Sequence, residues 1–302
     1  MGKHVIKEVM NHFKEERTNN NHINRHSYFV PRHDDAGDEA PSDFKEIRRR
    51  APNPKNVMEI KNFHRSQDYT TLRDKMISQG KLFRDDRFPA DNSLLSDNVQ
   101  GGNNYIMSYN GRMRVRPTEI KWLRPREIAR DPQMYVGKRD RFDINQGEIG
   151  DCWFLAALAN LAEDDDAFQR VVPGGQGFDK RSYCGMFRFR FFRFGEWIEV
   201  VIDDKLPTRN GKLIYLKAKD DNEFWSPLLE KAYAKLYGSY KALEGGLTIE
   251  SAVDFTGGIP EMIDISNLQM RPEKLFDLMR KADSNDAFMS CSLSVSFHLL
   301  DA

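Results

Sequence analysis

Trp153 to Ala162 is apolar on nearly every face of a helix. A helix with no polar stripe belongs in the middle of a domain, packed on all sides. It falls well short of the ~20 residues needed to cross a bilayer. The segment before it has the opposite character. Gln146-Gly147-Glu148-Ile149-Gly150-Asp151-Cys152 is polar, carries two glycines, and ends with a cysteine at the helix start. The positive end of a helix dipole favours negative charge beside it, which suits a nucleophilic sulfur. Gln146 lies in the turn, where its amide could point back at that sulfur. An amide donor together with the cysteine's own N–H is the usual make-up of an oxyanion hole.

The rest of the chain bounds this reading. The 302 residues make one large domain or two ordinary ones. Basic and acidic residues balance at 46 each, which argues against a general nucleic-acid or anionic-membrane binder. Three separated cysteines, Cys152, Cys184 and Cys291, fit neither a disulfide scaffold nor a cysteine zinc cluster. Charges through the first residues interrupt any signal peptide, and Ile6 stands where a myristoylation signal wants Ser or Thr. The expected setting is reducing and cytoplasmic, with no transmembrane segment.

Residues 1–68 read as a low-complexity polar leader, too poor in apolar surface to offset chain entropy. Within it, Val5, Ile6, Val9, Met10 and Phe13 recur at helical spacing, as a frayed surface helix or a docking helix. All but one of the 7 histidines fall in this leader and read as solvated. A helix is expected over Thr71–Ile77, and Trp122 reads as an anchor within a loop. The period then switches to two: Phe187, Phe189 and Phe191 alternate with Arg188 and Arg190. Gly195-Glu196 should turn this strand into Trp197–Ile202, and Asn210-Gly211 marks a second tight turn. Leu228, Leu229, Ala232, Tyr233 and Leu236 form the stripe of a further helix from Pro227, capped by Ser226. Another helix is expected at Pro272–Met279, and Ala287–Val295 reads as a strand.

The Gln146–Ala157 segment resembles the nucleophile motif of calpains, the calcium-dependent papain-like cysteine proteases. Further blocks resemble the same family: Leu82-Phe83 with Phe88-Pro89-Ala90, Trp122–Ile128, Phe194–Trp197 with Asp203-Asp204, Asn222–Ser226, Leu229–Lys235 and Asp254–Gly258. The resemblance spans roughly residues 69–296. It implies an α+β papain-like core, with a helical first subdomain (69–247) carrying a short antiparallel sheet and an incomplete second β-subdomain (248–302). It implies Cys152 as nucleophile, Gln146 as the oxyanion-hole amide, and Gly246 as the glycine that pairs with substrate backbone. Glu244 stands where the family usually has a small polar residue. The resemblance also implies calcium in the core, held by carbonyls near Tyr135 and Gly137 and by the carboxylates of Asp143 and Glu223. Hard oxygen donors of that mix suit calcium. The loop Gly137–Asp143 is one residue longer than is usual for the family.

A cysteine protease also needs a histidine base and a group, usually Asn, that orients it. His298 is the only histidine after Cys152, and no Asn follows it. Its spacing from Cys152 falls in the roughly 130–150 residues of papain-like chains. Its context, Ser296-Phe297-His298-Leu299, differs from the family's Gly-His-Ala-Tyr. The expectation is a truncated calpain-like chain, inactive alone, with residues 248–302 loosely held. It would be a calcium-dependent cysteine endopeptidase by family, acting on proteins. The alternative is a non-catalytic, calcium-responsive binding or decoy module.

Overall fold

The computed structural model describes residues 54–95, 106–107, 114–115, 119–263 and 271–291. In chain order the helices are α1 (Pro54–Arg65), α2 (Tyr69–Ser78), α3 (Pro125–Ile128), α4 (Cys152–Glu163), α5 (Asp165–Val171), α6 (Trp225–Tyr237), α7 (Thr248–Thr256) and α8 (Pro272–Ser284). The strands are β1 (Ile106–Met107), β2 (Arg114–Val115), β3 (Ile120–Leu123), β4 (Ile144–Asn145), β5 (Met186–Arg193), β6 (Glu196–Asp203), β7 (Leu206–Arg209), β8 (Lys212–Leu213) and β9 (Lys217–Ala218). They pair antiparallel as β1–β2, β3–β7–β8, β4–β9 and β5–β6, so the fold is α+β with no closed sheet.

Residues 52–259 form one compact unit, and α4 runs through its core. Phe154, Ala157, Leu158 and Leu161 are completely buried. The Phe154 ring stacks on Tyr233 of α6 at 4.6 Å and meets Phe255 of α7 edge-on at 5.8 Å. Phe191 of β5 closes the group at 5.3 Å from Tyr233. Such ring pairs add about 0.5–1.5 kcal/mol each beyond burial.

The β5–β6 hairpin follows the period-two pattern. Phe187, Phe189 and Phe191 are buried, while Arg188 and Arg190 both reach Glu199 at 3.4 and 3.3 Å. Its turn residues are Phe194 (φ 55°) and Gly195 (φ 79°), a two-residue loop whose twist suits the strands. Asn210 (φ 53°) and Gly211 (φ 76°) make the same kind of turn between β7 and β8. Only Lys212 and Leu213 of the segment after that turn join the ladder.

Several expectations are corrected. The polar leader read as running to residue 68 contains α1, whose Pro54 sits at the helix start rather than in a turn. α1 is tied to the hairpin by a two-pronged bond from Arg65 to Glu196, at 2.8 Å to each oxygen, and by Lys61 donating to the Phe194 carbonyl at 3.3 Å. His64 is buried rather than solvated, and burial lowers its pKa to about 4. Trp122 lies in a strand and is only half-buried. Helix α6 begins at Trp225, and Phe224, not Ser226, stands at its cap; no side chain bonds there. Its polar residues are buried along with its apolar stripe. Lys231 pairs with Asp203, and Lys235 donates to Asp85 at 2.7 Å and to the Val201 carbonyl at 2.6 Å.

Past the boundary expected at residue 247 the chain continues into α7. α7 belongs to the compact unit, its Asp254 accepting from Tyr233 at 2.8 Å and from Tyr237 at 3.0 Å. From Pro260 the chain belongs to a second unit, of which α8 is described, with Leu275 buried. Ala287 to Cys291 are not in a strand, while residues 292–295 lie outside the described residues. So do the Val5–Phe13 pattern, the histidines before His64, and His298.

Candidate active site

Cys152 is the first residue of α4 and is exposed, whereas Trp153 and Phe154 behind it are buried. The cysteine therefore stands at the surface on a helix anchored by its second and third residues. As the first helical residue, its backbone N–H has no acceptor within the helix.

The loop before it is held tightly. Glu148 N donates to the Ile214 carbonyl at 2.8 Å. A Cβ on Gly147 would run into the backbone of Tyr215, so only glycine permits this approach. Gln146 donates its amide to the Ile149 carbonyl at 2.9 Å and to Asp151 Oδ1 at 3.3 Å. Its donors are thus spent inside the loop and would have to turn to face an oxyanion. Asp151 is fully buried and faces the carboxyl of Glu230 on α6. Burial pushes Asp151 up to about 6.

Gly246 is brought to the same place. Gly245 N donates to the Gly150 carbonyl at 3.0 Å, and Trp153 Nε1 donates to the Leu243 carbonyl at 2.8 Å. A Cβ on Gly246 would strike the Trp153 indole. Cys152, Gln146 and Gly246 therefore surround one point at the α4 start. Sequence reasoning missed Asp151 and Glu230 as parts of this arrangement. Only the unusual acid inside the apolar stretch of α6 could have signalled them.

The four expected cation ligands are partly gathered. Glu223 is buried and accepts from Val136 N and from Trp225 Nε1, each at 2.6 Å. This places the peptide between Tyr135 and Gly137 against its carboxylate. Burial raises the pKa of Glu223, with the charges of Asp143 and Asp220 adding to the rise. Asp143 is held by Asp140 N donating to Oδ2 at 3.1 Å and by Lys219 N donating to its carbonyl at 2.8 Å. Among the described residues no group of three or more His, Cys, Asp or Glu side chains is placed to hold a metal. A cation here would depend on backbone carbonyls. Each Glu223 oxygen, taking one donor, keeps a lone pair. Spare oxygen capacity on Glu223, together with the Asp143 carboxylate, is the donor chemistry a hard divalent cation takes.

A cysteine at a buried helix start, a glutamine in the preceding loop and Gly246 thus lie on segments that meet at one end of α4. The chain belongs to the calpain family of cysteine proteases, whose family profile it matches over residues 83–299. It is 47% identical over 235 residues to Calpain-B of Drosophila melanogaster, covering 78% of this chain and 23% of that protein. It is 46% identical over 238 residues to Calpain-8 of Rattus norvegicus, covering 76% and 31%. With the Calpain-2 catalytic subunit of Mus musculus it shares 44% over 231 residues, again covering 76% and 31%. The chain thus spans about a quarter to a third of the length of these relatives. Among the described residues no helix is long and apolar enough to cross a membrane.

Proposed function

We propose that this chain carries the nucleophile half of a calcium-dependent cysteine endopeptidase that acts on cytoplasmic proteins. The observation that carries the reading is Cys152, exposed at the start of a buried helix and ringed by the Gln146 loop and Gly246. In this reading the Cys152 sulfur attacks a peptide carbonyl carbon, forming a C–S bond and moving charge onto the oxygen. The Cys152 N–H and the Gln146 amide receive that oxyanion once Gln146 exchanges its bond to Asp151. The Gly246 backbone holds extended substrate as an added strand.

Calcium held by Asp143, Glu223 and the carbonyls of Tyr135 and Gly137 would neutralise the two carboxylates and steady the loop leading to Cys152. The chain's own part is to hold Asp143 at the foot of β4, directly before the Gln146 turn.

Expulsion of the amine needs a histidine to deliver its proton. His298 stands in a context unlike the family's. Losing one member of such a unit costs on the order of 10⁴–10⁶ in rate. With excess calcium and a fluorogenic peptide, the purified chain is expected to give no turnover. Turnover abolished by Cys152→Ala would contradict this, and a matching loss in His298→Ala would assign His298 as the base.

A further inference from the structure

The loop that ends in Cys152 rests on two acids with no base between them. Asp151 and Glu230 are 0% and 1% exposed. Glu230 accepts from Leu216 N at 3.1 and 3.3 Å, and Asp151 Oδ1 accepts from Gln146 at 3.3 Å. Asp151 Oδ2 is buried and receives no donor from an amide, hydroxyl or ammonium group. Glu230 lies on the same side: it holds Leu216 N, and the Gln146 loop packs on the Ile214 and Tyr215 backbone just before it, so its carboxyl acts on Asp151. Two ionised carboxylates in contact in a dry site repel strongly, whereas one proton between them converts the contact into a hydrogen bond.

Among the described residues the surroundings supply no countercharge. Tyr215 and Tyr240 stack on each other at 4.6 Å beside the pair. Glu148 and Glu244 add negative charge near Tyr215. Arg209 is engaged by Glu148. Lys231, next in sequence to Glu230, is engaged by Asp203 and by the Lys205 carbonyl at 2.6 Å.

We propose that a single proton lies between Glu230 and Asp151, and that this proton-bridged pair positions the amide of Gln146. Glu230 donates the proton to Asp151 Oδ2. Asp151 keeps the negative charge, and its Oδ1 holds the Gln146 amide until substrate draws it away. Burial and the neighbouring Asp151 hold the Glu230 carboxyl well above the usual range, consistent with Glu230 as the proton's owner. Glu230 acts through Asp151 and is a positioning residue. The significance of the pair rests on reading Gln146 as the oxyanion amide; the proton itself is read independently of activity.

The test uses the full chain at neutral pH and two readouts. Infrared difference spectra between the parent and Glu230→Gln are expected to show one protonated carboxylic acid in the parent and none in the variant. The side-chain amide resonances of Gln146, assigned by their loss in Gln146→Ala, report its hydrogen bond. Glu230→Gln can still donate to Asp151 and accept from Leu216 N, so these resonances should stay near their parent positions. Glu230→Leu cannot donate, and they should shift, with their pH response moved upward. A parent without a protonated acid, or one whose acid signal survives Glu230→Gln, would overturn the proposal. So would Gln146 resonances unmoved in a folded Glu230→Leu. Should the acid signal appear while Cys152 proves unreactive, the functional reading fails and the proton bridge stands.

Discussion

The loop that leads into Cys152 and the loop that carries the candidate cation ligands differ in how they are closed. The first is sealed by the protein itself. Gly147 abuts the Tyr215 backbone, Gly150 is bonded by Gly245, and Gln146 is bonded within the loop. The second is left with like charges facing one another. The charge of Asp143 adds to the burial-raised pKa of Glu223, and Gly137 (φ 73°) has open space where a Cβ would be. A loop closed by packing is rigid without a ligand. A loop closed against its own electrostatics would be steadied by a cation, as proposed above. Its outer end connects through Asp143 and β4 to the nucleophile turn, so order in one loop constrains the other.

Exchanging the glycines gives the largest contrast. Gly147→Ala forces a methyl into backbone that cannot yield, and should cost about 3 kcal/mol or more. That is on the order of 10 °C in Tm for a unit of this size. Gly137→Ala meets only the left-handed strain of about 1–2 kcal/mol, and should shift Tm by a few degrees. Thermal unfolding of the two variants decides the matter, and equal losses would erase the distinction between the loops.

Calcium should act directly on the second loop. With two carboxylates, a Kd on the order of 10⁻⁵–10⁻³ M is expected. At a hundredfold excess over Kd the parent gains about 2.7 kcal/mol. Titration calorimetry on the parent and on Asp143→Ala with Glu223→Ala separates the outcomes, since equal heats would remove the site.

The acid pair beneath the first loop predicts a pH effect of known sign. Folded Asp151 and Glu230 bind protons more tightly than their unfolded counterparts, so stability is full below the unfolded values, near pH 4. It falls as pH rises, for Asp151 through about 6 and for Glu230 well above the usual carboxylate range. Glu230→Gln removes the second part. Relative to the parent it should gain on the order of 1 kcal/mol per pH unit above the ordinary Glu range. Denaturant unfolding at pH 5 and pH 7 checks this, and a constant offset between parent and variant would contradict it.

What sequence revealed of these regions follows from which forces are local. α4 was legible because a helix apolar on every side has only one place to go, and both hairpin turns were legible from their glycines. The convergence of Cys152, Gln146 and Gly246 was carried by family resemblance, since no local rule joins a loop near 246 to one near 150. α6 was half legible. Its apolar stripe was clear, but the burial of Glu230, Lys231 and Lys235 depends on Asp151, Asp203 and Asp85, each far away in the chain. α1 was missed because its sequence is polar and opens on Pro54 just after Pro52-Asn53. Its helix is held by Glu196 and the hairpin turn rather than by a hydrophobic stripe. The end of the compact unit was misplaced because Phe255 and Asp254 find their partners on α4 and α6, which spacing does not show.

The reactivity of Cys152 itself is read most directly by a peptidyl electrophile directed at thiols, with the modified residue located by mass spectrometry. Cys291 is also exposed and serves as the internal control, while Cys184 is buried. With Gly246 holding peptide backbone as proposed, a sulfur at the helix start should capture the probe first, and excess unreactive peptide should slow capture at Cys152 but not at Cys291. Equal labelling of Cys152 and Cys291, unaffected by competing peptide, would contradict the assignment of Cys152 as the nucleophile.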